Sequence, residues 1–376
     1  MMWRNGAVLL ALVFLSACAT APFDYPREAS YAIDPNAQTE LKSVVDDWRS
    51  THPGPSGFYP LIDGTSALGA RLKLINAAEE TIDVQYLLMK GDTAGQVLAG
   101  ALMDAADRGV RVRFLLDDIF TTVKDEELDL LDAHENIEVR LYNPISRHGI
   151  SIFNFLADFK RANRRMHNKS FTVDNQVTIV GGRNIADEYF ELRPEGEFLD
   201  LDVIGFGPVA AEVSETFDIF WNDERTLPIA AVSSRFSPEE LEAIRIEVID
   251  EFATVGESIY EAATNTELIQ ELVSGVRTLY SAPAEVITDD PEKLVSEIGY
   301  EHQILVNRLA EVVEAADEEV LVFTPYLVPM EEGMAFWSSI TAKGVRVVMV
   351  TNSLMSNNHT AVHSAYMKYR LSLIHI

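Results

Sequence analysis

Basic side chains are concentrated in one short stretch of an otherwise acidic chain. The 376 residues carry a formal charge of −29, with 59 acidic side chains against 30 lysines and arginines. The local field, rather than the net charge, decides where a small anion binds. The overall charge argues against general nucleic-acid binding, which needs a basic side chain for each phosphate contact. A site for one anionic group is predicted where the bases cluster, at Lys160, Arg161, Arg164, Arg165, His167, Lys169 and Arg183.

The same stretch contains a spaced trio of chemically active residues. His167, Lys169 and Asp174 follow the pattern His-x-Lys-x4-Asp. Two runs with strand composition, 170–173 and 177–180, flank a turn that begins at Asp174. His167 and Lys169 are therefore predicted at the mouth of a hairpin, and the sequence 181–184, Gly-Gly-Arg-Asn, at its exit.

These residues resemble the phospholipase D superfamily. The histidine signature at 167–174 is followed by Gly-Gly-x-Asn at 181–184, where the family has this sequence or Gly-Ser-x-Asn. The wider context at 83–86, 108–118 and 163–166 is similar to bacterial cardiolipin synthases, most of all their C-type group. The resemblance implies an α/β fold, an α-β-α sandwich with a mixed sheet flanked by helices.

The resemblance also implies phosphoryl transfer without a metal or another cofactor. His167 is expected to be the nucleophile or the acid, because a largely unprotonated imidazole can attack phosphorus to give a phosphohistidine. Lys169 and Asn184 are expected to donate hydrogen bonds to the phosphoryl oxygens, helped by backbone amides near Gly181 and Gly182. By the same resemblance Asp174 belongs to the catalytic motif and Arg183 to the phosphate-binding group.

Four further residues are weaker candidates for the surroundings of the site. Arg164 and Arg165 either bind lipid headgroups or pair with nearby acids, and the sequence leaves both readings open. Tyr86 and Asp117 end predicted strands, where α/β sites gather but where turn-forming polar residues are also common. Three other histidines lack the accompanying Lys and Asp and are interpreted as ordinary residues, namely His302, His359 and His363.

Apolar periodicity predicts the elements that position the motif. Alternating strands and helices of this length predict layered α/β architecture with parallel strand pairs. Strands are expected at 81–89, 110–116, 137–142 and 199–206, and helices at 66–78, 94–108, 126–133, 151–162 and 209–221.

The pattern of the first lobe returns near the end of the sequence. The segment 341–352 repeats 106–117, which indicates a duplicated lobe. The second copy is expected to be truncated, because the sequence ends before its own histidine motif would fall. Completion of the site is therefore expected to need a missing second lobe or a homodimer partner.

The amino terminus resembles a bacterial lipoprotein signal peptide. Arg4 precedes an apolar run at 7–15 that is short for a bilayer span, and Leu-Ser-Ala-Cys follows at 15–18. This implies lipidation of Cys18, the sole cysteine, and with Ala19 after it a location at the periplasmic face of the outer membrane. The domain prediction is a signal peptide at 1–17, a tether at 18–57, a first lobe at 58–230, an acidic helical connector at 231–300 and the start of a second lobe at 301–376.

The resemblance implies a lipid-anchored phosphatidyltransferase acting on phospholipids. Phosphatidylglycerol is the expected substrate, with phosphatidylethanolamine as a further candidate, and a membrane anchor would raise the local substrate concentration. Two alternatives stay open. A phospholipase D-type phosphodiesterase would use water as the acceptor, and a non-catalytic half would only bind lipid.

Overall fold

A computed structural model describes residues 21–52, 54–147, 159–162, 164–193, 196, 198–233, 236–251, 256–294, 304–357 and 359–375. The predicted signal peptide, Cys18 and most of the helix predicted at 151–162 lie outside these residues. The chain forms two compact units, one ending at Val286 and one beginning at Ile287. Within the described ranges no helix combines the length and hydropathy of a membrane span.

The first unit is built on a nine-stranded mixed sheet. Its strands are β1 (Ser56–Leu61), β2 (Thr81–Tyr86), β3 (Arg111–Asp117), β4 (Ile137–Tyr142), β5 (Ser170–Val173), β6 (Val177–Gly181), β7 (Asp202–Phe206), β8 (Thr226–Pro228) and β9 (Tyr280–Ala282). Their order is β8-β4-β3-β2-β5-β6-β7-β1-β9. β2, β3 and β4 are parallel, whereas the other neighbouring pairs are antiparallel.

Helices flank this sheet, so the predicted fold class is confirmed. They are α1 (Glu40–Thr51), α2 (Gly64–Ala77), α3 (Thr93–Asp107), α4 (Asp125–Asp132), α5 (Phe159–Ala162), α6 (Pro208–Trp221), α7 (Pro238–Glu251), α8 (Glu257–Thr264) and α9 (Glu267–Val273). Side-chain caps begin four of them; Asp63, for example, accepts from the amide of Ser66 and Asp92 from that of Gly95. After α3, Gly109 has φ +96°, a left-handed conformation suited to glycine.

Alternate side chains of β2 contact helices on opposite faces of the sheet. Asp83 pairs with Arg113, whose guanidinium also contacts Asp218 of α6. Tyr86 points to the other face, where its hydroxyl accepts from Arg71 of α2 at 2.9 Å. This alternation is the period of two expected for a strand. The sheet is therefore the middle layer of the sandwich.

Much of the predicted tether packs on the first unit. Arg140 donates to the carbonyl of Glu28 at 2.6 Å, and Arg113 to that of Ser30 at 2.8 Å. The ring of Trp221 lies under Arg140, 4.3 Å from its guanidinium carbon, and its Nε1 donates to Ser30. Most of these hydrogen bonds are accepted by backbone carbonyls, which every residue has. The amino-acid composition of the segment therefore does not predict that it packs on the first unit.

Part of the predicted acidic connector also packs on this unit. Ala263 of α8 and Ile269 of α9 are buried. A Cβ at Gly69 of α2 would lie 2.0 Å from the carbonyl oxygen of Ala263, so only glycine allows the two helices to approach so closely. Over α8 and α9 the predicted acidic helical connector therefore packs on the first unit.

The second unit contains a parallel strand pair with helices. Its elements are α10 (Ile304–Glu314), β10 (Glu319–Phe323), α11 (Met330–Ala342), β11 (Arg346–Val350), α12 (Thr360–Met367) and α13 (Arg370–Ile374). The order helix, strand, helix, strand repeats α2-β2-α3-β3. The register agrees as well, since Glu319 pairs with Arg346 as Thr81 pairs with Arg111.

Candidate active site

Several predicted site residues gather at one edge of the nine-stranded sheet. Strand pairing places Ser170 beside Gln85 and Val180, and Gly181 beside Asp202. The amino ends of β5 and β7 thus meet the carboxyl ends of β2 and β6, and the parallel strand β3 ends at Asp117 on the same side. We call this the site edge. His167 lies three residues before β5, at this edge.

His167 and Lys169 form a close pair. Lys169 Nζ lies 3.3 Å from His167 Nδ1 and donates to the carbonyl oxygen of His167 at 2.9 Å. Partial desolvation, with the neighbouring ammonium of Lys169, lowers the pKa of His167 to about 4. Burial lowers the pKa of Lys169 to about 8, against the opposing effect of Asp200 and Asp202. At neutral pH the site therefore presents a neutral imidazole beside an ammonium group.

A buried carboxylate holds the chain just before His167. Asp117 accepts from Arg165 Nη1 at 3.0 Å with one oxygen and from the amide of Met166 at 3.0 Å with the other. Arg165 also donates to the carbonyl of Asn143 at 2.8 Å. Burial raises the pKa of Asp117 to about 6, and Arg165 opposes that shift. Asp117 and Arg165, both candidates from the sequence, therefore position the backbone next to His167.

The two glycines after β6 make room for carboxylates of the protein. A Cβ at Gly181 would lie 2.1 Å from Asp202 Oδ1, and one at Gly182 would lie 1.9 Å from Asp200 Oδ1. The sequence reasoning gave these glycines to a substrate phosphate and overlooked both aspartates. The alternation of Asp with apolar residues from Leu199 onward was the available signal, because it places both carboxylates on one face of a strand.

Arg183 points into the protein rather than toward a substrate. Its side chain is buried, and it donates to the carbonyls of Leu61 at 2.8 Å, of Tyr189 at 3.1 Å and of Ile62. Asp202 lies 3.6 Å away. The guanidinium thus joins the segment after β6 to the end of β1, which does not fit the predicted contact with a phosphate.

Asn184 follows directly and keeps one polar atom without a partner. Its Nδ2 donates to the hydroxyl of Tyr189 at 3.0 Å, whereas its Oδ1 is buried with no hydrogen-bond partner. Rotation of the amide about the Cβ–Cγ bond would bring an N–H donor to the position of this oxygen. The contact of Asn184 with a substrate phosphate stays a prediction.

Asp174 lies at the far end of the hairpin from His167. Its carboxylate is fully buried and accepts from the backbone amides of Glu79, Glu80 and Thr81 at 3.1, 2.9 and 2.9 Å. Its φ is +50°, in the left-handed region that Asp tolerates. The third residue of the signature therefore joins the hairpin turn to the start of β2, and it does not contact the histidine.

The two remaining candidates are Tyr86 and Arg164. Tyr86 is buried against Arg71, and burial raises the pKa of its hydroxyl. Arg164 is half-buried, and its carbonyl accepts from Asn143 Nδ2 at 2.8 Å. No cluster of potential metal ligands occurs in the part of the chain that the structure describes.

The chain is similar to known proteins in sequence and in fold. Residues 72–221 match the family described as cardiolipin synthase, PLD-like domain. Cardiolipin synthase C of Escherichia coli is 38% identical over 334 residues, which cover 89% of this chain and 70% of that protein. An uncharacterized protein of Helicobacter pylori is 31% identical over 372 residues, or 98% of this chain and 73% of that protein.

One solved structure adds support for the fold alone. Phosphatidylserine synthase of Haemophilus influenzae aligns with a TM-score of 0.52 at 12% identity, covering 84% of this chain and 67% of that one. The family match includes the whole hairpin that carries His167 and Lys169, and the similarity to the Escherichia coli protein extends over most of both chains. The chain is therefore an enzyme of the phospholipase D superfamily and belongs to its cardiolipin synthase-like family.

Proposed function

We propose that the protein is a phosphatidyltransferase that forms cardiolipin through a phosphohistidine at His167. The observation that carries the proposal is the neutral imidazole beside the Lys169 ammonium, with a separation of 3.3 Å between Nδ1 and Nζ. A neutral imidazole has the lone pair that a nucleophile needs. The name of the Escherichia coli relative, cardiolipin synthase C, supports the choice of product.

In the first step an imidazole nitrogen bonds to phosphorus, and the bond from phosphorus to the headgroup oxygen breaks. The headgroup leaves as an alcohol after taking a proton. An ammonium has three donors, and the carbonyl of His167 uses one from Lys169, which leaves donors for the phosphoryl oxygens. Asn184 supplies a further donor when its amide turns. These groups stabilise the charge that develops on the phosphoryl oxygens.

In the second step a hydroxyl of phosphatidylglycerol attacks the phosphohistidine. A phosphorus–oxygen bond forms and the phosphorus–nitrogen bond breaks. The proton of the hydroxyl passes to the group that protonated the first leaving alcohol, so that this acid and the imidazole are both regenerated. With phosphatidylglycerol as donor the products are cardiolipin and glycerol, and with phosphatidylethanolamine as donor they are cardiolipin and ethanolamine. Water in place of the lipid hydroxyl would give phosphatidic acid.

A second histidine motif would supply the acid for the leaving alcohol, because one imidazole cannot readily occupy both sides of phosphorus. We assign this role to a further lobe or to a second copy of the chain. If two copies of the chain associate to complete the site, the rate per enzyme should rise with enzyme concentration. If a further lobe completes the site, the rate per enzyme should stay constant.

Product analysis tests the proposed reaction. Radiolabelled phosphatidylglycerol should yield labelled cardiolipin with the parent protein and none with His167→Ala. Asp118→Asn is the control, because Asp118 pairs with Arg147 near the same strand end without contacting His167. Accumulation of phosphatidic acid without cardiolipin would contradict transfer and assign hydrolysis instead. Lipid binding without turnover would assign a non-catalytic role.

A further inference from the structure

Four exposed apolar side chains border the segment 181–184. Ile62, Phe198, Leu199 and Leu201 expose 71%, 37%, 100% and 49% of their surface. Antiparallel pairing of β1 with β7 brings the end of β1, and so Ile62, to the start of β7, which the other three precede. We call these four side chains the apolar rim. Apolar groups gathered beside a site mark an interaction surface rather than the scattered exposure of an ordinary surface.

The backbone of the rim is bonded directly to the segment 181–184. The amide of Gly182 donates to the carbonyl of Leu201 at 3.1 Å. Arg183 donates to the carbonyl of Ile62 with its buried guanidinium. The side chains of Leu201 and Ile62 are exposed to solvent, whereas these hydrogen bonds fix their backbone carbonyls. The rim therefore has a fixed position relative to the glycine turn of the site.

An aromatic contact connects the rim to Asn184. The ring of Phe198 packs edge-on against Tyr189, with 5.1 Å between ring centroids. The hydroxyl of Tyr189 is the group to which Asn184 donates. A phospholipid whose phosphate lies at the site edge near Asn184 would therefore have this rim on the same side of the sheet, where its acyl chains could reach it.

The described part of the amino-terminal segment starts at the same edge. The guanidinium carbon of Arg161 lies 4.9 Å from the ring centroid of Phe23, and Arg161 donates to the carbonyl of Pro144 at 3.0 Å. Pro144 follows the carboxyl end of β4, which is parallel to β3 and ends beside Asp117. The contact between Phe23 and Arg161 therefore places residue 23 at the site edge as well.

The charge of the chain restricts how this edge could meet a lipid surface. The formal charge of −29 gives the chain as a whole no electrostatic attraction to anionic lipids. Exposed apolar side chains offer a contact with the bilayer that does not depend on that charge. We infer that the apolar rim inserts into the boundary between headgroups and acyl chains of a phospholipid bilayer and so presents the site edge to its substrate. The inference rests on the proposed function, because that function supplies a bilayer lipid as the substrate.

Tryptophan placed on the rim gives a direct test that needs no turnover. Leu199→Trp in the full chain should be quenched when vesicles of phosphatidylglycerol and phosphatidylethanolamine carry bromine on their acyl chains. Ile219→Trp is the matched control, since Ile219 is 52% exposed on α6 away from the rim. Quenching at 199 no greater than at 219 would overturn the inference. So would a buried emission at 199 without vesicles, which would assign the rim to contact with a second copy.

Turnover gives a second test with a different failure pattern. The double variant Leu199→Asp with Leu201→Asp should lose on the order of tenfold or more activity on vesicles, because charged groups do not partition into the interface. Its activity on short-chain phosphatidylglycerol below the micelle threshold should not change. Equal losses on both substrates would overturn the inference by assigning the rim to site geometry. If the parent protein turns over neither substrate, the proposed function fails, whereas the quenching result still decides the rim.

Discussion

Replacement of Asp174 separates a structural role of the signature aspartate from a catalytic one. Asp174→Ala removes the acceptor for three backbone amides, at 2.9 to 3.1 Å. The amide of buried Thr81 then loses its partner, which costs about 1–3 kcal/mol, and the two outer amides lose about 0.5–1.5 kcal/mol each. Alanine at φ +50° costs about 1 kcal/mol more. The expected loss of unfolding free energy is about 3–7 kcal/mol, a large share of a typical total.

The matched variant is Asp174→Asn. It keeps one acceptor oxygen and tolerates the left-handed conformation, so about 1–2 kcal/mol of unfolding free energy should be lost. Urea unfolding should be followed by tryptophan fluorescence in a background with Trp3→Phe and Trp337→Phe, because Trp3 lies outside the described residues and Trp337 belongs to the second unit. Trp48 and Trp221 then report on the first unit. Below the unfolding transition, Asp174→Asn should retain the turnover of the parent.

A structural role for Asp174 is contradicted if its replacement abolishes turnover and leaves the urea midpoint unchanged. Asp174→Ala that unfolds at the urea concentration of the parent, yet has no turnover, would make Asp174 a catalytic residue. In the structure β5 separates it from His167, on the order of 13 Å at the usual rise of a strand.

Three further predictions concern the site edge itself. The pH profile of kcat/KM on a soluble phosphodiester should have limbs near pH 4 and pH 8, because His167 must be neutral to attack and Lys169 must be charged to bind the phosphate; a single limb near pH 6.5 would contradict this. Asp117→Asn should lower kcat roughly tenfold or more by loosening the backbone before His167, whereas Asp118→Asn should not, and equal kcat values from steady-state assays would remove the positioning role. Gly182→Ala should lower kcat with little change in the midpoint of urea unfolding, because the added Cβ would lie 1.9 Å from a carboxylate oxygen of Asp200 and must displace the segment 181–184. An unchanged kcat would contradict this prediction.

The sequence predicts the central strands well, because their signals are local. The run 137–142, for example, alternates apolar with charged residues, which is the pattern of a strand, and the strand found there has the predicted bounds. Strand β1, between β7 and β9, is not predicted from the sequence. It contains Gly57 and Pro60, which are poor strand residues, and its place is set by pairing with β7 and β9.

Site residues were harder to assign, because spacing along the chain does not show where a side chain points. His167 and Lys169 lie together as the hairpin predicts. Arg183 has the same charge and lies near them in sequence, yet its partners are carbonyls more than 100 residues away at the end of β1. The carboxylates of Asp200 and Asp202 reach the glycine turn only through the pairing of β6 with β7. Such long-range contacts have no local signature.

Trapping the covalent intermediate tests the central claim most directly. Phospholipid with a labelled phosphate should be mixed with the protein, quenched in alkali, in which phosphohistidine survives, and digested for mass spectrometry. The account predicts a phosphatidyl adduct on the peptide that contains His167, absent from His167→Ala and present in Asp174→Asn. Cardiolipin formation with no adduct on His167, or an adduct that persists in His167→Ala, would contradict it.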